Sequence, residues 1–171
     1  MTERTGRVTV GGAPVTLVGD ELKVGDKAPD AELVDNSGRP VKLSSFFGKR
    51  LIVSTVLSLE TSVCDTETRT FNKRAAELGD DIAIVTVSVD LPFTQKRWCG
   101  AAGIDKVRTL SDHRETALGK AFGVLMKEPR LLARAVFVID KAGVVRYTQL
   151  LPEAGREPDY DAALAAAKKL A

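Results

Sequence analysis

The run Leu51-Ile52-Val53-Ser54-Thr55-Val56 constrains the fold of this chain more than any other segment. It is apolar and β-branched, without the alternation of a strand that has one wet face. It therefore reads as a strand buried on both faces, which needs covering layers on both sides of its sheet. The segments that follow supply such layers. After a loop from Leu57 to Val63, the residues Cys64, Thr68, Phe71, Ala75 and Leu78 recur at offsets of four and three, the spacing of one helix face, and Gly79 marks the end. Ile82 to Ser88 is the next strand, Pro92 to Gly100 a helix carrying Trp98 and Cys99, Val107 to Leu110 a short strand, and Glu115 to Phe122 a further helix.

Two apolar runs, Ala135 to Ile139 and Val144 to Leu150, are parted by Asp140-Lys141-Ala142-Gly143, the composition of a hairpin turn. An antiparallel pair therefore joins the parallel strands, and the sheet is mixed. An Ala-rich helix from about Tyr160 to Leu170 closes the chain. Upstream, Val8, Val10, Gly11-Gly12, Val15, Leu17 and Val18 read as a β-hairpin extension over residues 1–18, and a smaller hairpin turns at Asp35-Asn36-Ser37-Gly38. This order is that of an α/β, thioredoxin-like fold: a mixed central sheet flanked by helices, preceded by an N-terminal β-hairpin. One domain over residues 1–171 is expected. Fold alone does not fix function.

A chain of 171 residues buries roughly 70% of the surface its unfolded form exposes, so no second domain is needed for stability. No apolar stretch approaches the ~18 residues of a membrane span. The first residues, Met1-Thr2-Glu3-Arg4-Thr5-Gly6-Arg7, carry charge of both signs and no apolar segment follows, so a cleaved secretory leader is not expected and the cytoplasm is the expected location. The net charge of +2 arises from 25 basic and 23 acidic residues with no dense basic run, which argues against a nucleic-acid partner.

Four residues carry the candidate chemistry. Cys64 leaves a loop and enters a helix, where unpaired N–H groups and the positive end of the dipole favour a thiolate. A small buried hydrophobe fits the same position. Thr61, three residues earlier, has a hydroxyl that either caps the helix only or also donates to the sulfur or a bound substrate. Arg134 stands before the apolar run Ala135 to Ile139, where a guanidinium needs a partner or a polar site, or else remains in solvent just before burial begins. Cys99 lies on the helix after the next strand. It is either structural or a neighbour of Cys64, and a disulfide needs Cα atoms within about 7 Å, which calls for local unfolding. In a reducing compartment such a pair is not expected as a permanent staple. His113, the only histidine, sits between polar residues and has no short-spaced ligand partner, so no metal site is expected.

Taken together, certain segments resemble the thiol peroxidase branch of the peroxiredoxins, the atypical two-cysteine type. They are Ser58 to Asp65, Arg69-Thr70-Phe71-Asn72, Asp90 to Ala101 with its Leu-Pro-Phe-Thr-Gln-Lys-Arg-Trp-Cys core, Thr109-Leu110-Ser111-Asp112, Leu132-Ala133-Arg134-Ala135, and Glu157-Pro158-Asp159-Tyr160. The resemblance implies that Cys64 is the peroxidatic cysteine and Cys99 the resolving one, and that Thr61 and Arg134 activate the thiolate and polarise the peroxide. It also implies a hydroperoxide substrate, thioredoxin as reductant, a homodimer, and no metal or organic cofactor. The chain departs from the family pattern with Leu57 in place of the first proline of the Pro-x-x-x-Thr-x-x-Cys signature. Glu60 and Ser62 replace an aspartate and a proline, and Gly123 to Arg130 is shorter than the family's loop. Leucine does not fix φ as proline does, so a less preorganised loop is expected. The competing reading is a peroxide-responsive sensor or binding protein with slow turnover. A dithiol oxidoreductase would call for the Cys-x-x-Cys spacing that this chain lacks.

Overall fold

In the computed structural model, which describes residues 1–170, the chain opens with β1 (Glu3–Val10) and β2 (Ala13–Val18). Their turn is made by Gly11 and Gly12 at positive φ. A second hairpin follows, β3 (Glu32–Val34) and β4 (Pro40–Lys42), and then β5 (Arg50–Thr55), every residue of which is buried. The helix α1 (Ser62–Arg74) ends in a 3₁₀ turn over Ala75–Glu77, and leads to β6 (Ile82–Ser88). Next come α2 (Pro92–Ala102), β7 (Arg108–Ser111) and the short α3 (Ala117–Ala121). In α2, Pro92 occupies the first turn, where its missing N–H costs nothing, and Gly103 caps the end in the left-handed conformation. Two strands of two residues each, β8 (Leu125–Met126) and β9 (Leu131–Leu132), precede the pair β10 (Ala135–Ile139) and β11 (Val145–Leu150). The last element, α4 (Tyr160–Lys169), starts where the Asp159 carboxylate accepts from the Ala162 N–H.

Seven strands form one mixed sheet in the order β11-β10-β5-β6-β7-β3-β4. β5, β6 and β7 run parallel, and β10 lies antiparallel to β5 with Ala135 opposite Thr55 and Val136 opposite Ser54. The alternation of side chains splits the core in two. Ile52, Ile84, Val136 and Val138 pack with Phe71 of α1 and with Ala163, Leu164 and Ala167 of α4. Leu51, Val53, Val85, Val87 and Phe137 face the other way, toward Phe122, Leu125 and the N-terminal strands. Each such aliphatic side chain contributes roughly 1.5–3 kcal/mol by burial. This explains why β5 lacks the polar alternation of a strand with one wet face.

The N-terminal extension is tied into the fold rather than hung from it. β2 pairs onward with β8, giving a second sheet of order β1-β2-β8-β9, and Val8, Val15 and Leu17 are buried. Gly19, at φ +100, lies so close to α3 that a Cβ there would meet the Lys120 carbonyl oxygen at 2.0 Å. The strands β8 and β9 lie in a segment where no element was expected, and α3 begins two residues later than its expected start at Glu115. Asp112 sets that start: its carboxylate accepts from the N–H groups of Leu118 at 3.2 Å and Gly119 at 2.8 Å. No helix among the described residues is long and apolar enough to cross a membrane.

Candidate active site

Cys64 is the third residue of α1, and the first intrahelical bond runs from the Asp65 N–H to the Thr61 carbonyl at 2.9 Å. The N–H groups of Ser62, Val63 and Cys64 therefore precede the helical ladder, and together with the dipole they favour negative charge on the sulfur. Cys64, Glu67, Thr68 and Phe71 are the buried residues of the helix and lie on one face by their spacing. The Thr68 hydroxyl donates to the Cys64 carbonyl at 2.9 Å, closing the turn beneath the sulfur.

Arg134 reaches this turn from the sheet. It stands one residue before β10, and by strand periodicity it shares a face with Val136 and Val138, the face covered by α1 and α4. It is 1% exposed and fully engaged. Nη2 donates to Cys64 Sγ at 3.3 Å, Nη1 to Glu67 Oε2 at 2.5 Å, and Nε and Nη2 to the Ala154 carbonyl at 3.0 and 2.7 Å. The other Glu67 oxygen accepts from the Ser54 hydroxyl at 2.8 Å. Burial alone would weaken the hold of Arg134 on its proton, but the Glu67 carboxylate and the Cys64 sulfur outweigh it and hold the guanidinium more firmly protonated. Burial pushes the Glu67 carboxyl up, opposed by Arg134 and Ser54. The charges survive out of water because each is paired and hydrogen-bonded.

Glu67 and Ser54 escaped the sequence reading. A signal for Glu67 was present: it is three residues from Cys64 and four from Phe71, inside the apolar stripe, and a carboxylate there demands a buried cation. Ser54 interrupts an otherwise apolar strand, and its hydroxyl is spent on that carboxylate.

Thr61 stands at the N-cap position of α1, but its side chain makes no capping bond. Its hydroxyl donates to the Ser58 carbonyl at 3.1 Å instead, so neither the cap nor a bond to the sulfur is formed. It does share a cavity with Arg134. This space of about 260 Å³ is lined by Val10, Leu57, Thr61, Val63, Arg134, Glu153 and Ala154 among others, a largely apolar mouth with one cation and one carboxylate in its wall. The tip of the β1–β2 hairpin forms part of its wall. The Glu153 carboxylate holds that tip by accepting from the Thr9 hydroxyl and from the N–H groups of Gly11 and Gly12 at 3.1 and 3.2 Å. Its neighbour Ala154 accepts from Arg134, so the segment joins the hairpin to the guanidinium.

The loop from Leu57 to Thr61 is held despite the missing proline. Leu57 and Leu59 are buried, and Asp90, just beyond β6, accepts from the Ser58 hydroxyl at 2.6 Å, the Leu59 N–H at 2.9 Å and the Ser88 hydroxyl at 2.6 Å. The Ser58 carbonyl in turn orients Thr61.

Cys99 lies on α2, away from this cluster. Both cysteines are free thiols, and Cys64 is 0% exposed. Cys99 Sγ sits 3.3 Å from Thr109 Oγ1 and lines a separate cavity of about 330 Å³ with Asn36, Arg39, Ile104, Arg108 and Thr109. The structure therefore brings Cys64, Thr61 and Arg134 together and leaves Cys99 outside. His113 lies in the turn before α3.

Residues 23–164 match the family described as Redoxin. The thiol peroxidase of Bacillus subtilis (strain 168) is 53% identical over 163 residues, covering 95% of this chain and 97% of that one. The thiol peroxidase of Staphylococcus aureus (strain MRSA252) is 47% identical over 163 residues, covering 95% and 98%. Among solved structures, a peroxiredoxin-like protein from Aquifex aeolicus superposes with a TM-score of 0.91 at 43% identity over 98% of this chain and 99% of that one. A thiol peroxidase from Chromobacterium violaceum has a TM-score of 0.85 at 24% identity, covers 95% of each chain, and shows the shared fold.

Proposed function

The chain belongs to the redoxin family and is a thiol-dependent peroxidase of thioredoxin-like fold, and from that premise we propose that Cys64 is its peroxidatic cysteine and Cys99 its resolving one. The observation that carries this reading is the 3.3 Å bond from the buried Arg134 guanidinium to Cys64 Sγ at the start of a helix. A cation and a helix N-terminus converge on one sulfur beside an apolar mouth, where low dielectric strengthens both.

The Cys64 thiolate attacks the distal oxygen of a hydroperoxide ROOH, an S–O bond forms and the O–O bond breaks. Sulfur is oxidised to the sulfenic acid, and the leaving RO⁻ takes a proton to depart as ROH, which is water when the substrate is hydrogen peroxide. Arg134 stabilises the negative charge as it moves from sulfur to the departing oxygen, an electrostatic contribution of the oxyanion-hole kind. Thr61, whose proton points to the Ser58 carbonyl, offers the mouth an acceptor for the peroxide O–H. The Cys99 thiol then condenses with the sulfenic acid, releasing water and forming the disulfide, and thioredoxin restores both thiols. Because the two sulfurs stand in different surroundings, resolution proceeds through local unfolding.

We further propose a cytoplasmic homodimer. Leu91 and Phe93, 51% and 79% exposed at the start of α2, support the dimer because a second copy would cover them. The test of the chemistry is direct. Cys64→Ser should abolish turnover, and Cys99→Ser should perform one turnover and accumulate a sulfenic acid that dimedone traps. Equal dimedone labelling of both variants would overturn the assignment.

A further inference from the structure

The two cysteine-bearing helices are joined by one cluster of side chains that the peroxide chemistry does not use. The indole Nε1–H of Trp98, the residue before Cys99, donates to Asp65 Oδ1 at 2.9 Å, and Asp65 is the residue after Cys64. The second oxygen of Asp65 accepts from Arg69 Nε at 2.9 Å, one turn further along α1. The Arg69 guanidinium completes the ring by lying 5.6 Å from the centre of the Trp98 indole. Asp65 is thus engaged by both helices, and the indole is held by a charge-assisted hydrogen bond on its edge and a cation on its face.

We propose that Asp65 and Trp98 form a clasp that sets the rate at which the Cys64 sulfenic acid is resolved, and so its partition between disulfide and overoxidation. This rests on the reading of Cys64 as peroxidatic and Cys99 as resolving. Cys64 is sealed beside Arg134, Cys99 sits against Thr109, and an S–S bond of about 2.05 Å requires at least one sulfur to leave its place. If the first turn of α1 unwinds, Asp65 moves with it. If α2 unwinds at Cys99, Trp98 moves. Either route breaks the Asp65–Trp98 bond, so the clasp stabilises the fully folded state and is absent from the state that forms the disulfide.

Two reactions compete for the sulfenic acid. In one, Cys64–SOH and Cys99–SH give the disulfide and water. In the other, Cys64–SOH and a second ROOH give the sulfinic acid Cys64–SO₂H and ROH, with sulfur oxidised again and the O–O bond reduced. The first waits on the clasp and the second does not. Asp65 and Trp98 touch no reacting atom and are positioning residues.

The experiment uses rapid mixing of the reduced full-length protein with hydrogen peroxide, acid quench and mass spectrometry of thiol, sulfenic, disulfide and sulfinic forms. Trp98→Phe keeps an aromatic face for Arg69 but replaces the indole and its donor by a phenyl ring, Asp65→Ala removes the acceptor, and the double variant completes a cycle. Each single variant should form the disulfide roughly five- to tenfold faster, the scale of one charge-assisted hydrogen bond that is partly exposed, with the rate of sulfenic acid formation unchanged. The peroxide concentration that gives half sulfinic acid should rise by the same factor, and the double variant should be no faster than the faster single one. Unchanged or slower resolution in both single variants, or effects that multiply in the double one, would overturn the clasp. Wild-type protein that consumes peroxide without forming the Cys64–Cys99 disulfide would instead overturn the underlying two-cysteine reading, and the clasp with it.

Discussion

Glu67 and Arg134 meet at 2.5 Å with side chains 0% and 2% exposed, an ion pair sealed between α1 and the sheet. This pair aims the guanidinium: with Nη1 on Glu67 and Nε on Ala154, Nη2 is left facing the Cys64 sulfur. Neutralising Glu67 would leave a buried cation without its partner. Glu67→Gln should destabilise the fold by about 3–5 kcal/mol, read by urea denaturation, and should lower kcat/KM for peroxide by at least tenfold in the fraction that remains folded. Unchanged stability and activity would contradict the role given to the pair.

Thr61 makes a separate demand, because its hydroxyl bonds only to the Ser58 carbonyl while the residue lines the mouth. Thr61→Val keeps the shape and removes the oxygen, whereas Thr61→Ser keeps the oxygen. The valine variant should lose roughly 10²-fold in the rate of peroxide reduction, as for the loss of one group that stabilises a transition state, and the serine variant should retain most of it. A valine variant that keeps its activity while the serine variant loses it would mean that the methyl group, by packing, is what matters.

Asp90 is the third test, since it holds Ser58 and Leu59 in the loop where Leu57 replaces the expected proline. Asp90→Ala should slow peroxide reduction about tenfold while leaving the far-ultraviolet circular dichroism spectrum intact. Asp90→Asn, which retains an acceptor, should lose less. An alanine variant as fast as the parent would show that burial of Leu57 and Leu59 is sufficient to hold the loop.

Asp112 gives a pH prediction. Burial pushes its carboxyl up to about 6, although the N–H groups of Gly119 and Leu118 oppose the shift. The folded state therefore holds this proton more tightly than the unfolded chain, whose carboxyl titrates near 3.8. The sign follows: the contribution of Asp112 to stability is fully present below about pH 4 and is lost as pH rises through about 6. The size is on the order of 2–3 kcal/mol across that window. Denaturation midpoints measured from pH 4 to 7 should show a fall with rising pH that is absent in Asp112→Asn. Parallel profiles for the two proteins would contradict it.

Much of this was legible in the sequence because the central strands are buried on both faces and declare themselves by continuous apolar composition. β6 and β10 have the expected limits, and β5 is shifted by one residue. The place of Cys64 in the first turn of α1 and the need of Arg134 for a partner were legible for the same reason: charge and reactive sulfur beside apolar runs are costly unless used. The two-residue strands β8 and β9 were not legible, since they are too short for any periodicity and exist through pairing with β2, more than a hundred residues away. Nor was the direction of the Thr61 hydroxyl, which depends on where the Ser58 carbonyl points. Asp90 and Asp65 read as ordinary polar residues, because their work is done across the chain, on Ser58 and on Trp98.

The central claim is that Cys64 is the sulfur that meets the peroxide. Stopped-flow tryptophan fluorescence tests it most directly, because Trp98 is the only tryptophan, adjoins Cys99 and is bonded to the residue after Cys64. Reduced protein mixed with hydrogen peroxide or cumene hydroperoxide should show a fast signal change whose rate rises linearly with peroxide concentration and which vanishes in Cys64→Ser. A change that persists in Cys64→Ser, or no change in folded wild-type protein that also forms no Cys64–Cys99 disulfide, would contradict it.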